Sequence, residues 1–204
     1  MPRIWHTTTI ALLLSVILAQ SWAAEPKKAE PKKWVTLTNC QYVDGKDNDG
    51  DSFRVRCGTN EFIVRLYFVD APETNLRYPE RTREQSEYFG VTLDETMKAG
   101  RKARDTVREL LREPFVVCTR RAIAGGRSIE PRYSAFIEVG GKSLAELLVS
   151  QGLARRKGVI VNLPTGENWK VYAEKLQALE SEARQKRLGI WGGAAGKNPE
   201  TQTR

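Results

Sequence analysis

The order in which two hydrophobic periodicities follow each other most constrains the fold. Alternating segments rich in β-branched and aromatic residues predict strands over 34–43, 52–57 and 61–69. Apolar residues at helical spacing then predict a helix from Leu93 to about Arg112. Two more strands follow, over 115–122 and 133–139, and then two helices, one from Ser143 to Gly152 and one that carries Tyr172 and Ala183 and ends at Gly189. This order predicts a mainly β protein with helices (α+β): a five-stranded OB-fold Greek-key barrel plus three helices, a barrel type that commonly binds oligonucleotides.

The first 23 residues predict a secretory signal peptide. Arg3 is their only charged residue, an apolar run covers 10–19, and Ser21 and Ala23 place small residues where signal peptidase reads them. The alternative is a membrane anchor, but this run is far shorter than the ~20 apolar residues that span a bilayer core. We therefore expect cleavage after Ala23, no membrane anchor in the mature chain, and a secreted or periplasmic protein.

Biased sequence sets the limits of the folded domain. Residues 24–33 repeat the unit Ala-Glu-Pro-Lys-Lys twice, and such proline-broken, charge-dense sequence predicts an extended linker. Residues 192–204 are mostly small and polar, which predicts a disordered tail. One domain is expected over 34–191, which is long enough to form its own core.

The three cysteines would meet an oxidising compartment if the chain is exported. Cys40 and Cys57 flank a turn-rich segment almost symmetrically, so a disulfide across a hairpin is the favoured pairing, with Cys118 left over. The alternative is three buried free thiols.

Composition excludes several classes of enzyme. The single histidine, His6, lies in the predicted signal peptide, so the mature protein would have none. Without histidine there is no Ser-His-Asp hydrolase, no Cys-His protease and no histidine-ligated zinc site. Catalysis would have to use carboxylates, arginines, lysines or tyrosines, together with a cation that prefers oxygen ligands.

An excess of basic residues indicates a polyanionic partner. The chain has 33 Lys and Arg against 25 Asp and Glu, a net charge of +8, which becomes +7 without the segment that carries Arg3. Nucleic acid is the expected partner of such a chain. The alternative is an ordinary solvated surface, since acidic residues are interspersed along the basic helix that begins at Leu93.

Candidate chemical groups concentrate around the second and third predicted strands. Asp51 ends a turn, Arg65 lies inside an apolar strand, and Asp70 and Glu73 follow the end of that strand. A buried arginine is costly unless a carboxylate or phosphate meets it, so a structural ion pair and a functional role are both open. Strict alternation places Arg65 and Asp70 on opposite faces, and only a bend near Val69 would bring them together.

Five motifs occur in one order along the chain. They are Asp49-Gly-Asp-Ser52, Arg65-Leu-Tyr-Phe-Val-Asp-Ala-Pro-Glu73, Arg132-Tyr-Ser-Ala-Phe-Ile137, Gln151-Gly-Leu-Ala154 and Arg187-Leu-Gly-Ile-Trp191. In this order they closely resemble the staphylococcal nuclease (thermonuclease-like) family over 34–191. The resemblance implies a staphylococcal-nuclease-like fold. It also implies a calcium-dependent nuclease that cuts DNA and RNA, prefers single strands, and leaves 3′-phosphate and 5′-hydroxyl ends.

The resemblance also assigns roles to individual residues. Asp51, Asp70 and the backbone carbonyl of Ala71 match the family's calcium ligands, and carboxylate and carbonyl oxygens are the donors that Ca²⁺ prefers. Arg65 and Arg132 match its phosphate-binding arginines, which would also stabilise charge in the transition state. Glu73 matches the catalytic glutamate and would accept a proton from water or orient it. We expect a monomer with DNA and RNA as substrates.

Two departures from the family pattern bear on the substrate. The type member has tyrosines that stack on the substrate base shortly after the Gln-Gly-Leu-Ala motif, whereas 155–164 contain none. Residues 75–92 form an enlarged segment, which is either a lid or substrate arm or a surface excursion packed by Tyr88 and Phe89.

A second function from a different class also fits the charge and the fold. A secreted OB-fold module could bind nucleic acid without cutting it. Such a binder has no use for acidic residues among the phosphates, so Asp51, Asp70 and Glu73 beside Arg65 and Arg132 favour the nuclease.

Overall fold

The computed structural model describes residues 33–125 and 130–196, without the side chains of 194–196. The predicted signal peptide over 1–23, nearly all of the linker over 24–33 and most of the tail over 192–204 lie outside the described residues, and these assignments stay predictions. No helix in the described part of the chain has the length and apolar character needed to cross a membrane.

The described residues form eight strands. They are β1 (Val35–Val43), β2 (Ser52–Cys57), β3 (Asn60–Leu66), β4 (Val69–Asp70), β5 (Phe115–Ile123), β6 (Arg132–Val139), β7 (Lys142–Ser143) and β8 (Arg155–Arg156). The strands β1, β2 and β3 form an antiparallel meander, and β5 pairs with both β1 and β6. A parallel pairing between β3 and β6 closes the ring. The predicted five-stranded barrel is therefore confirmed, and the short β4 and β8 form a separate antiparallel ribbon beside it.

Four α-helices surround the barrel where the sequence predicts three. They are α1 (Pro79–Phe89), α2 (Leu93–Leu110), α3 (Leu144–Ser150) and α4 (Trp169–Gln185), and a 3₁₀ helix covers Gly189–Gly196. Side chains of α2, α3 and α4, among them Val107, Leu148 and Leu176, belong to the same apolar core as Phe53 of the barrel. The helices and the barrel thus form one domain.

The unpredicted helix α1 lies within the enlarged 75–92 segment. It begins at Pro79 and ends before Gly90, whose φ of 68° is the left-handed conformation that favours glycine at this position. Phe89 is buried against Trp191, with their ring centroids 4.8 Å apart. The segment is therefore packed on the domain, and part of it lines the same pocket as Arg65.

A bend interrupts the third predicted strand. The expectation of one strand over 61–69 is wrong, because β3 ends at Leu66 and β4 begins at Val69. Phe68 between them has a φ of 67°, a conformation that costs a non-glycine residue about 1–3 kcal/mol. Its backbone N–H finds an acceptor in the carbonyl of Val159, at 3.1 Å. Side chains alternate strictly between two faces only within a continuous strand. The bend therefore allows Arg65 and Asp70 to lie on the same face.

The disulfide joins the first two strands of the meander. Gln41 of β1 pairs with Arg56 of β2, which places Cys40 opposite Cys57, and the two are bonded while Cys118 is free. The predicted pairing is confirmed.

Removing this disulfide is expected to destabilise the domain by about 3 kcal/mol, the loss typical for a loop of this length. The change is Cys40→Ala together with Cys57→Ala, and the measurement is the free energy of unfolding in urea. Cys118→Ala is the matched control and should cost less because no bond is lost. Equal losses in the two proteins would contradict a stabilising bridge.

Candidate active site

Three of the predicted site residues line one pocket of about 390 Å³. Arg65, Glu73 and Arg132 form part of its wall, and Asp49 lies beside them. The enlarged segment supplies the remaining residues, which are Arg77, Tyr78, Pro79, Glu80 and Arg81. The pocket therefore joins groups from the barrel with groups from the segment that carries α1.

Asp51 and Asp70 lie beside the pocket and share one guanidinium nitrogen. Nη2 of Arg65 is 3.0 Å from Oδ2 of Asp51 and 3.3 Å from Oδ1 of Asp70. Arg65 lies opposite Ser52 on one side and Ser134 on the other, in the middle of the barrel wall. The bend at Phe68 thus places the Asp70 side chain on the same face of the barrel wall as the Arg65 side chain.

The turn before β2 fixes the position of Asp51. Oδ1 of Asp49 accepts hydrogen bonds from the backbone N–H groups of Asp51, at 3.0 Å, and Ser52, at 2.6 Å. A side chain at Gly50 would lie within 2.8 Å of the Cβ atoms of Ala71 and Ala103, so this turn requires glycine for packing. Burial and the neighbouring Asp51 raise the pKa of Asp49 well above its ordinary value.

Asp70 is buried among four donor side chains. Its Oδ2 accepts from Nε of Arg155, at 2.9 Å, and from the amide of Gln85, at 3.1 Å. Its Oδ1 accepts from Arg81 and Arg65. Burial alone would raise the pKa of Asp70, but Arg81, Arg155, Gln85 and Arg65 together hold it below its ordinary value. The carboxylate is therefore charged. It contacts three arginines, whereas a simple ion pair involves only one.

Glu73 follows Pro72 and lines the pocket. Its backbone N–H donates to Oε1 of Gln85 at 2.7 Å, and its carboxylate is paired with Arg81. Gly100 of α2 lies so close to the carbonyls of Pro72 and Glu73 that any side chain there would clash with them. Burial raises the pKa of Glu73, and the contact with Arg81 offsets only part of this effect.

Arg132 begins β6, opposite Ile63 of β3. Its Nη1 donates to the Ser52 hydroxyl at 3.2 Å and its Nη2 to the carbonyl of Gly125 at 2.9 Å. Its Nε is buried without a hydrogen-bond partner in the described parts of the chain. Burial and the charge of Arg65 lower the pKa of Arg132. A phosphate oxygen would satisfy the unpaired donor and offset both effects.

The three groups that the resemblance assigns to calcium lie together but already have protein partners. Asp70 accepts from its arginine partners and from Gln85. The amide of Gln85 also donates to the carbonyl of Ala71 at 2.9 Å, and the N–H of Ala71 donates to Asp51 at 3.0 Å. Across 33–125 and 130–196, no group of three or more His, Cys, Asp or Glu side chains could hold a metal ion. Two carboxylates and one carbonyl are the donor types that a hard cation takes. The donors therefore fit a Ca²⁺ site by type, provided that the contacts of Arg81 to Asp70 are given up.

Sequence reasoning missed Arg81, Gln85 and Arg155. Pro79 and Gly90 bracket α1 with the residues typical of a helix start and end, so the helix could have been found. Nothing in the local sequence indicates that Arg81 and Gln85 face the carboxylates. Arg155 follows the Gln-Gly-Leu-Ala motif. It contacts Asp70 only because β4 and β8 pair in a register that places Asp70 opposite Arg155.

A family model described as staphylococcal nuclease homologue matches residues 63–193, more than half of the chain. The match includes Arg65, Asp70, Ala71, Glu73 and Arg132, while Asp51 lies before it. None of the curated proteins compared with the chain matches it.

Proposed function

Because the chain belongs to the staphylococcal nuclease homologue family, we propose that it is an exported, calcium-dependent nuclease. Its substrates are DNA and RNA, with single strands preferred. It hydrolyses the phosphodiester bond to leave a 3′-phosphate and a 5′-hydroxyl.

One observation carries this proposal: a carboxylate and two arginines line the same pocket, with two further carboxylates beside it. Glu73, Arg65 and Arg132 come from separate parts of the barrel sequence, yet they line a single cavity. A protein that only bound phosphates would gain nothing from the charges of Asp51 and Asp70 at this position. A hydrolase needs both signs of charge, because it must activate water and stabilise a transition state that carries added negative charge.

The residues divide the work as follows. Arg65 and Arg132 bind the non-bridging oxygens of the scissile phosphate and stabilise the charge that accumulates there. Glu73 accepts a proton from the attacking water as its oxygen bonds to phosphorus. The bond from phosphorus to the 5′ oxygen then breaks, and that oxygen leaves as the 5′-hydroxyl after it takes up a proton.

Asp51, Asp70 and the carbonyl of Ala71 would hold the Ca²⁺ ion. When bound, the ion supplies positive charge that offsets the charge of the phosphodiester. Asp51→Asn, which keeps the shape of the side chain and removes its charge, is therefore the control for metal binding at this site.

Export is supported by the disulfide and by the sequence of the first 23 residues. A bond such as Cys40–Cys57 persists in oxidising compartments and is rare in the cytosol. The proposed location is therefore the periplasm or the exterior of the cell. The proposed oligomeric state is a monomer.

The first experiment measures cleavage of single-stranded DNA by the purified protein. Ca²⁺ is expected to support cleavage, excess chelator to remove it, and Mg²⁺ to replace Ca²⁺ poorly, because Mg²⁺ demands a tighter octahedral geometry. End-labelled products identify the 3′-phosphate and the 5′-hydroxyl. Cleavage that continues undiminished in chelator would reject the metal assignment. A protein that binds the DNA in every condition and never cuts it would instead be a nucleic-acid-binding module.

A further inference from the structure

The helix α1 is attached to the candidate site by Gln85. The Gln85 amide donates to Oδ2 of Asp70 and to the carbonyl of Ala71, and its oxygen accepts from the backbone N–H of Glu73. Gln85 is completely buried. Arg81 lies four residues earlier, so it is on the same face of the helix. Gln85 thus fixes α1 where Arg81 reaches the carboxylates of Asp70 and Glu73.

The guanidinium of Arg81 bridges two carboxylates that have different proposed roles. Its Nη2 donates to Oδ1 of Asp70, a proposed metal ligand, and its Nε donates to Glu73, the proposed proton acceptor. Both contacts belong to one rigid planar group. An outward movement of this group would therefore break both contacts.

Arg81 is the most exposed of the three arginines that contact Asp70. Its side chain is 36% exposed, whereas those of Arg65 and Arg155 are 15% and 2% exposed. Arg155 also lies over the ring of Tyr88 at 4.6 Å and is paired with Glu84, so turning it outward would break these contacts as well. Of the three, Arg81 is therefore the one that can turn outward into water with the smallest change in burial. Asp70 would keep Arg65, Arg155 and Gln85 as partners.

We propose that Arg81 is an internal counter-cation of the candidate metal centre, which a divalent cation must displace from Asp70 before it can bind there. The helix α1 therefore sets the metal affinity of the site. The same displacement frees the Glu73 carboxylate from its ion pair, so metal binding and release of the proposed base are linked. The inference rests on the proposed assignment of Asp51 and Asp70 as metal ligands.

The test is a calorimetric titration of CaCl₂ alone into the purified protein, with no substrate present. Arg81→Ala is expected to bind Ca²⁺ at least ~10-fold more tightly than the parent, because the competing charge is gone. The free energy of a charge-assisted hydrogen bond corresponds to a change in affinity of this size or larger. Arg83→Ala is the matched control. It removes the same charge from the same helix, but Arg83 is exposed and pairs only with Glu80 in the described structure, so its Ca²⁺ affinity should equal that of the parent.

A second measurement does not depend on the alanine variant folding. In the parent chain, the Nε–H resonance of Arg81, assigned by its loss in Arg81→Lys, should move toward the position of a solvated arginine as Ca²⁺ is added. The Arg83 resonance should stay in place. An Arg81 resonance that does not respond at saturating Ca²⁺ would overturn the proposal.

The outcomes separate this proposal from the proposed function. Equal Ca²⁺ affinity in the parent and in Arg81→Ala, with binding lost in Asp51→Asn, would overturn the role of Arg81 and leave the metal site in place. Absence of Ca²⁺ binding in both proteins would reject the metal site and with it the role of Arg81. An equal gain in Arg83→Ala would reduce the effect to general charge and would also overturn the proposal.

Discussion

Glu73→Gln is expected to lower the turnover of single-stranded DNA by about 10²-fold or more, within the range of general-base contributions of ~10²–10⁴. Glutamine keeps the shape of glutamate but cannot accept the proton of the attacking water. The measurement is the single-turnover rate of cleavage at saturating protein and Ca²⁺, which separates the chemical step from binding and product release.

The variant should fold and bind as the parent does. The structural contact of residue 73 is made by its backbone N–H to Gln85, which the substitution leaves intact, and the glutamine oxygen can still accept from Arg81. Binding of single-stranded DNA, followed by fluorescence anisotropy, should be equal or tighter because one negative charge near the phosphates is removed. A folded variant that binds Ca²⁺ and turns over DNA at the parental rate would show that Glu73 is not the base.

The barrel could be predicted because its strands carry their pattern locally. The hairpin of β1 and β2 follows from alternation on both sides of a turn rich in Gly, Asp and Asn, and the pairing of Cys40 with Cys57 follows from that symmetry. Closure of the ring between β3 and β6 could be inferred only from the element order, because the pairing joins residues about 70 positions apart, such as Ile63 and Arg132.

The bend at Phe68 and the extra helix α1 were not predicted, for two different reasons. Phe68 is an apolar residue in an apolar run, and no local signal gives it a positive φ. Its conformation is imposed by contacts of the neighbouring backbone, such as the bond from its N–H to Val159. The buried face of α1 consists of Thr82, Gln85, Ser86 and Phe89, three of which are polar. A search for apolar periodicity does not find a helix that packs through polar side chains.

The candidate site was predictable as a set of residue types but not as a network. The cost of burying Arg65 indicated a carboxylate partner, and the structure supplies two, Asp51 and Asp70. Nothing in the sequence places Arg81 against Asp70 and Glu73, because that contact depends on where Gln85 docks α1. The charged residues of the candidate site could thus be identified from the sequence. The residues that position them or compete for them, Gln85 and Arg81, could not.

Asp70→Ala is expected to reduce the free energy of unfolding by about 3–5 kcal/mol, the cost typical of breaking a buried ion pair by removing one partner. Without Asp70, Arg155 loses its acceptor at Nε while its side chain stays buried, and Arg65 keeps only Asp51 among the two carboxylates it contacts. Urea unfolding at neutral pH in chelator measures the effect on the metal-free protein.

An exposed ion pair supplies the matched control. Asp44 pairs with Arg108, and both side chains are more than 60% exposed, so Asp44→Ala should cost less than about 1 kcal/mol. Adding Arg155→Met to Asp70→Ala removes the buried charge that has lost its Asp70 partner and should recover part of the loss, since buried pairs replaced by apolar residues of similar size are often neutral. A loss for Asp70→Ala no larger than that for Asp44→Ala would mean that the carboxylate does not hold Arg155 in place. Asp70 would then serve the site alone, and the buried arginine would depend on Glu84.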